Sequence, residues 1–325
     1  MRRLHRPPVQ LPTLTTGPGA TQREKDRQKR SQDPKAQLSF PDHWNRSDVR
    51  GALLAMQGWV CAFCERKLGE DRRGDVEHFR PKSATAEATH HGYWWLAYEF
   101  ENYLLSCTTC NSTYKRTRFP IKPGASHVEY GTRAQLPQEA RLLVDPAVDP
   151  IESWLRIDVM DDTCPVTVTT TDADAHLKAE TTIGFFELNA DRKLVQQRIR
   201  AREKATKNLE KGDIEELRMR ASYFRPHGST IRAFMGLFTT NEEVPAISRD
   251  DELLWLLEYV DEQLRLDAKL RRQGLPPPSE RPIEELFWML AVLWKHPPAL
   301  NAEMIELWLD DTGWKPQVEP LYRQL

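Results

Sequence analysis

The chain has 325 residues with 46 basic and 48 acidic side chains, and 39% of its residues are hydrophobic. This is an ordinary composition for a folded protein and excludes collagen-like or wholly disordered chains. The length is enough for about two domains. Residues 1–125 carry a net charge of +8 and residues 126–325 one of −10. A polyanionic ligand is therefore expected at the first part and a protein partner at the second.

The first 35 residues are predicted to form a flexible, basic N-terminal arm. They are rich in Pro, Thr and Gly up to Ala20 and then strongly charged, which is compatible with a solvated helix laid on a partner or on nucleic acid. Met1-Arg2-Arg3 begins the chain without an apolar stretch. We therefore expect a cytoplasmic protein with no membrane segment.

A short amphipathic helix is predicted after the arm. Ser47 is a candidate N-cap, and Val49, Leu53 and Met56 share one face. Gly58 is placed to end this helix just before the first cysteine pair.

Four cysteines form two pairs with two intervening residues each. Such spacing lets both sulfurs of a pair point at one ion, and two pairs complete a tetrahedral thiolate shell. A structural zinc ion is therefore predicted, whereas disulfides would need an oxidising compartment and buried free thiols remain the other alternative. The fifth cysteine, Cys164, is expected to be an ordinary core or loop thiol. The predicted zinc ligands are Cys61, Cys64, Cys107 and Cys110.

Between the pairs, the segment containing Glu77 and His78 is predicted to be a strand, since Val76 and Phe79 alternate with polar residues. A second strand is predicted over 99–106, leading into the second cysteine pair, and a short helix over 108–116. The expected unit is strand, long loop, strand, helix.

These residues resemble the ββα-metal site of HNH endonucleases that also hold a four-cysteine zinc. The resemblance covers about 59–120. It implies that His78 is the general base, that Glu77 and Asn111 bind a divalent metal, and that Asn102 holds the catalytic loop. Because many family members have Asp or His where this chain has Glu77, Asp75 is the alternative ligand. The motif consists of Glu77-His78, Asn102 and Cys107-x-x-Cys110-Asn111-x-x-x-Lys115.

The chemistry of phosphodiester hydrolysis fits these roles. The reaction needs a deprotonated water and neutralisation of the phosphate charge. Histidine titrates near neutral pH, and one carboxylate with one amide oxygen suits Mg²⁺ or Mn²⁺. Flanking cations are candidates for binding substrate phosphates, although charged runs are also common on ordinary surfaces. These candidates are Arg80, Lys82, Lys115, Arg116 and Arg118.

A wider set of short motifs is similar to the PtuB-like HNH subunit of Septu-type antiphage defence systems, including those attached to retrons. That resemblance implies a nuclease that works with a separate ATPase on nucleic acid, either DNA or a structured RNA such as tRNA. The chain contains no Gly-x-x-x-x-Gly-Lys-Ser/Thr loop for a triphosphate. The motifs lie in 93–120, 142–150 and 181–198.

The predicted fold class is α+β and mainly α. We expect the HNH nuclease module at 36–125, a connecting segment with a small β-hairpin at 126–180, and an α-helical region at 181–325 that docks a partner or regulates access. Tryptophans of the last region recur with aliphatic residues at helical spacing and are expected in its core.

Two alternatives to a partner-dependent endonuclease stay open from the sequence. One is a zinc-stabilised nucleic-acid-binding or scaffold subunit whose HNH residues are inactive. The other is a toxin-like general nuclease, which would be strongly active without a partner.

Overall fold

A computed structural model describes residues 1–68, 74–86, 90–222, 225–238, 249–273, 283–297 and 302–325, and it is mainly helical with two small antiparallel sheets. The helices are α1 (Pro12–Thr15), α2 (Pro18–Gln32), α3 (Ser47–Gln57), α4 (Ile151–Trp154), α5 (Ala173–Phe185), α6 (Arg192–Glu210), α7 (Ile214–Ala221), α8 (Gly228–Phe238), α9 (Arg249–Arg272), α10 (Ile283–Lys295), α11 (Ala302–Thr312) and α12 (Lys315–Tyr322).

Each sheet has two strands. Strand β1 (Asp75–His78) pairs with β2 (Tyr103–Ser106), with Glu77 opposite Leu104 and His78 opposite Tyr103. The predicted hairpin is confirmed as β3 (Leu155–Ile157) and β4 (Val166–Val168). The helix expected after the second cysteine pair is a π-helical turn, Thr109–Lys115. Short 3₁₀ turns are His43–Asn45, Trp94–Leu96, Phe100–Asn102 and Tyr130–Gln138.

Helix α3 ends four residues before Cys61, and almost all of its side chains are buried. Gly58 follows it with φ of 60°, a left-handed conformation that ends the helix and that glycine adopts without a steric cost. Ser47 is the first helical residue and makes no capping bond through its side chain, so the predicted N-cap is wrong by one position.

The C-terminal region packs directly on the predicted nuclease module through α3 and α10. A Cβ atom added to Gly51 would lie 2.4 Å from Cβ of Trp288, so the two helices approach closely because residue 51 has no side chain. Beside this crossing, Nε of Arg50 lies 2.8 Å from Oε1 of Glu285, and both side chains are buried. The predicted nuclease module (36–125) and the predicted helical region (181–325) therefore share a packed interface.

The N-terminal segment differs from the expected flexible arm. Residues 1–14 pack into the core through Leu4, Leu11 and Leu14, whose side chains are buried. The guanidinium of Arg6 donates to the carbonyl oxygens of Phe100 (2.6 Å) and Tyr103 (3.0 Å). Pro7 and Pro8 lie between Leu4 and Leu11 and interrupt any continuous helical pattern, which is why the sequence alone indicates an arm.

The remaining helices follow the sequence pattern. A break at Gly212 separates two of them, because α6 ends at Glu210, α7 begins at Ile214, and Gly212 has φ of 69°. Of the tryptophans expected in the core of this region, Trp288 and Trp294 of α10 are buried, whereas Trp255, Trp308 and Trp314 are only half-buried. No helix within the described ranges is both long and apolar enough to cross a membrane.

Gly51→Ala should destabilise the protein by roughly 1–3 kcal/mol, because the added methyl group overpacks the α3–α10 contact. Urea unfolding measures the change. Gly184→Ala in α5 is the matched control, since its added Cβ meets nothing within 4 Å. That variant should be neutral or stabilised by up to about 1 kcal/mol. Equal stability of the two variants would contradict the close packing.

Stability should also depend on His227. Burial lowers the pKa of His227 to about 4, from an ordinary value of 6.5. The unfolded chain therefore binds this proton more readily than the folded chain. The contribution of His227 to the free energy of unfolding is at its maximum above pH 6.5. It is lost as the pH falls towards 4, and the total loss is about 3 kcal/mol at most.

His227→Gln should flatten the fall in unfolding free energy between pH 6.5 and 4, measured by urea titrations at several pH values. His91→Gln, at an exposed histidine, is the control and should keep the parent's slope. If both variants keep that slope, His227 does not titrate as stated.

Candidate functional site

The four paired cysteines form one cluster. The sulfur atoms of Cys61, Cys64, Cys107 and Cys110 all lie within 4.8 Å of one another. Sγ of Cys64 lies 3.7 Å from Sγ of Cys107, far longer than the roughly 2.05 Å of a disulfide bond. Four thiolates around a tetrahedral zinc ion at about 2.3 Å would be about 3.8 Å apart. The cluster therefore has the donors and the spacing for a metal ion, and the predicted grouping of the cysteines is confirmed.

Backbone hydrogen bonds hold both cysteine pairs in place. In the first pair, Cys61 N donates to Arg66 O (2.9 Å), and Ala62 N donates to Leu105 O of β2 (3.0 Å). The second pair directly follows β2, where Asn111 N donates to Cys107 O (2.9 Å). The cluster thus joins the end of α3, strand β2 and the π-helical turn at one point.

His78 lies at the end of β1 and is almost wholly buried. Its Nε2 lies 3.0 Å from the carbonyl oxygen of Ala97. A carbonyl oxygen only accepts, so Nε2–H donates, and the neutral ring keeps its lone pair on Nδ1. Burial and the nearby charge of Lys82 hold the pKa of His78 well below its ordinary value. The ring is therefore neutral at physiological pH with Nδ1 unprotonated, and the lowered pKa also makes it a weaker base than an ordinary histidine.

Glu77 forms a buried ion pair with Lys115. Oε1 of Glu77 lies 3.1 Å from Nζ of Lys115, and both side chains are almost completely buried. Burial raises the pKa of Glu77, while the charge of Lys115 opposes that shift. Nζ of Lys115 also lies 3.4 Å from the carbonyl oxygen of His78. The predicted metal ligand and the predicted phosphate contact are thus bound to each other.

Asp75 and Asn111 form the other polar pair of the site. Nδ2 of Asn111 donates to Oδ2 of Asp75 over 2.9 Å, and both residues are partly exposed. Asp75 and Glu77 are two residues apart on β1, so their side chains project from the same face of the strand. Asp75, the alternative metal ligand, therefore contacts Asn111 directly, whereas the side chain of Glu77 is more deeply buried.

Asn102 holds the loop that follows His78. Its Oδ1 accepts from Arg80 N (2.8 Å), and its Nδ2 donates to Arg80 O (2.9 Å) and to Leu96 O (3.3 Å). Through these three hydrogen bonds the side chain of Asn102 ties the loop after β1 to the 94–97 segment, which carries Ala97.

Arg80 is directed into the protein. Its Nε lies 2.7 Å from Oε2 of Glu139, and its guanidinium also donates to Leu136 O. Lys82 lies over the ring of Trp44, at 4.5 Å from its centroid. These contacts leave Arg80 and the buried Lys115 poorly available to a substrate.

Arg116 and Arg118 lie at the outer end of the π-helical turn. Arg116 is exposed and donates to Ser112 O over 3.0 Å. Arg118 stacks on the ring of Phe185, at 4.3 Å from its centroid. Of the five predicted phosphate contacts, Arg116 is the most exposed.

Three further groups of the site have no signature in the sequence. The edge of Trp44 contacts the ring of His78, with centroids 4.7 Å apart, although the two residues are 34 positions apart. The carbonyl of Ala97 is a backbone group that any residue would provide. Glu139 lies beyond the end of the predicted module. A contact over such sequence distances is visible only in the folded chain.

One curated protein resembles part of this chain. The match is to the Septu protein PtuB of Bacillus mycoides (strain KBAB4), with 32% identity over 120 residues. It covers 34% of this chain and 39% of that protein, well under two thirds of either. No protein-family model matches the sequence, and no solved structure matches it.

Cys61→Ser or Cys107→Ser should remove bound metal and unfold the cysteine-bracketed region, because metal binding and folding are coupled in such sites. Elemental analysis should find about one zinc ion per parent chain and almost none in either variant. Cys164→Ser is the matched control, because this buried thiol is outside the cluster. Glu77→Ala should also keep its zinc. Full zinc content after Cys61→Ser would contradict the assignment.

Proposed function

We propose that the protein is a metal-dependent endonuclease that hydrolyses phosphodiester bonds, with His78 as general base. The observation that carries this proposal is the hydrogen bond from Nε2 of His78 to Ala97 O. It leaves Nδ1 of a neutral ring as the proton acceptor for an attacking water. The HNH-like motif supports the same role from the sequence.

Asp75 and Asn111 are the residues proposed to hold a catalytic Mg²⁺ or Mn²⁺, and Glu77 is the third candidate ligand. Their oxygen atoms are the hard donors that these ions prefer. The amide of Asn111 donates to Asp75 through its nitrogen, which leaves its carbonyl oxygen for another ligand. A bound ion supplies charge neutralisation at the phosphate and at the leaving oxygen. The ion pair with Lys115 orients Glu77 and opposes the rise in its pKa.

The substrate class proposed is nucleic acid, either DNA or a structured RNA. Residues 1–125 carry the positive charge of the chain, with a net charge of +8, and this favours a polyanion at this part of the molecule. Arg116, Arg118 and Lys82 are the proposed phosphate contacts. Phosphate contacts of this kind position a substrate and carry no sequence preference by themselves.

A role in antiphage defence is proposed from the partial similarity to the Septu protein PtuB. In this role the chain is the effector nuclease, and a separate ATPase subunit controls it. The net charge of −10 over residues 126–325 favours a protein partner at the C-terminal region. This partner and the cytoplasmic location belong to the proposal.

A second candidate function is a zinc-stabilised nucleic-acid-binding or scaffold subunit with an inactive HNH site. The burial of both Glu77 and His78 and the ion pair of Glu77 with Lys115 favour it. In that case the same residues stabilise the fold and perform no chemistry. The two functions differ in one observable property, which is cleavage.

Cleavage of DNA and RNA substrates by the full chain, with Mg²⁺ or Mn²⁺ and with co-expressed partner proteins, tests the proposal. His78→Ala should lower cleavage by at least about 100-fold, the usual contribution of a general base. Substrate binding and zinc content should stay unchanged. His176→Ala is the matched control, because this histidine is half-exposed on α5 and lies outside the candidate site.

Absence of cleavage by the parent with every metal and partner would overturn the nuclease and favour the scaffold function. Strong cleavage by the chain alone would favour the toxin-like alternative over the defence assembly. Equal loss in His176→Ala and His78→Ala would contradict the assigned base.

A further inference from the structure

A cavity distinct from the candidate nuclease site lies between the first cysteine pair and the helices α6, α7 and α9. Its volume is about 270 Å³. Ligand sites commonly have volumes of roughly 300–1,000 Å³, so this cavity suits one small molecule and not a nucleic-acid strand. The residues that carry the argument are Trp59, Lys67, Lys204, Arg225, Trp255 and Tyr259.

Aromatic rings form the apolar part of the cavity. The rings of Trp59 and Tyr259 meet edge to face, with centroids 4.9 Å apart. Trp255 is one helical turn before Tyr259 on α9, so both rings face the same side of that helix. Such a surface binds the flat face of an aromatic ring or a base by stacking.

Cations line the same cavity. Lys67, Lys204, Arg220 and Arg225 are all lining residues, and the described lining contains no carboxylate. Arg220 is paired with Glu216 of its own helix, and Arg225 lies over the ring of Tyr259 at 5.5 Å from its centroid. The side chain of Lys204 makes no ion pair within the part of the chain that the structure describes. A ligand with an anionic group is therefore favoured.

We propose that this cavity binds a mononucleotide, with its base against Trp255 and Tyr259 and its phosphate against Lys204. The planar apolar face and the cation Lys204 match a base joined to a phosphate, and the volume limits the ligand to one such unit. Trp59 and Lys67, which flank the loop of Cys61 and Cys64, line the same cavity as residues of α6 and α9, so the bound nucleotide links this loop to the helical region.

Isothermal titration of the full chain with AMP and with GMP, in the absence of added Mg²⁺ and Mn²⁺, tests the proposal. Saturable binding with one site per chain is expected. Adenosine and inorganic phosphate, each tested alone, should bind at least about tenfold more weakly, because each makes half of the contacts. No saturable binding of either nucleotide, or equal affinity for adenosine and AMP, would overturn the proposal.

Substitutions locate the site. Lys204→Glu should weaken AMP binding by about tenfold or more, because it removes a charge-assisted contact and adds repulsion. Lys193→Glu is the matched control, since Lys193 is exposed on the same helix and outside the cavity. Tyr259→Leu should also weaken binding, because it keeps the apolar volume and removes the ring.

Binding is measured separately from cleavage, so failure of the nuclease proposal does not affect this test. His78→Ala should bind AMP with the affinity of the parent. Loss of AMP binding in His78→Ala with retention in Lys204→Glu would move the nucleotide to the nuclease site and overturn the cavity as its location.

Discussion

The cysteine cluster is the interaction on which the candidate site depends. Sheet β1–β2 has four residue pairs, and such a short pair is at best marginally stable by itself. The four sulfurs connect the loop after α3 with the residues that follow β2. This connection fixes the start of the π-helical turn, and with it Asn111, relative to Asp75. In the proposed function the two metals would have separate tasks, since one would hold the scaffold and the other would take part in hydrolysis.

Buried charge is the second determinant of the site. Ion pairs in a protein interior cost desolvation energy, and removal of one partner leaves an uncompensated charge. Glu77 and Lys115 are such a pair, and Arg50 with Glu285 is another at the α3–α10 crossing. The first orders the residues around His78. The second favours the observed alignment of α3 and α10, because a shift of one helix along the other would separate the two buried charges.

Local patterns made much of the site predictable, whereas distant contacts did not. The spacing of the cysteine pairs indicated the cluster, and alternation around Glu77 indicated β1. The pairing of Glu77 with Lys115, 38 positions later, has no local signal, because either residue could face solvent in another fold. The packing of residues 1–14 was missed for a similar reason, since Pro7 and Pro8 separate Leu4 from Leu11 and interrupt any local helical pattern. The need for glycine at position 51 is visible only from its close contact with Trp288, which is 237 positions away.

The contact between α3 and α10 has a consequence for dissecting the chain. A fragment that ends near residue 125 would keep all four cysteines and every predicted catalytic residue. It would also expose the face of α3 around Gly51 to water and leave Arg50 without Glu285. The shortest autonomous unit is therefore longer than the sequence motif. Truncation between these two parts would separate halves of one hydrophobic core, so the cysteine-bracketed segment needs its C-terminal helices to stay folded.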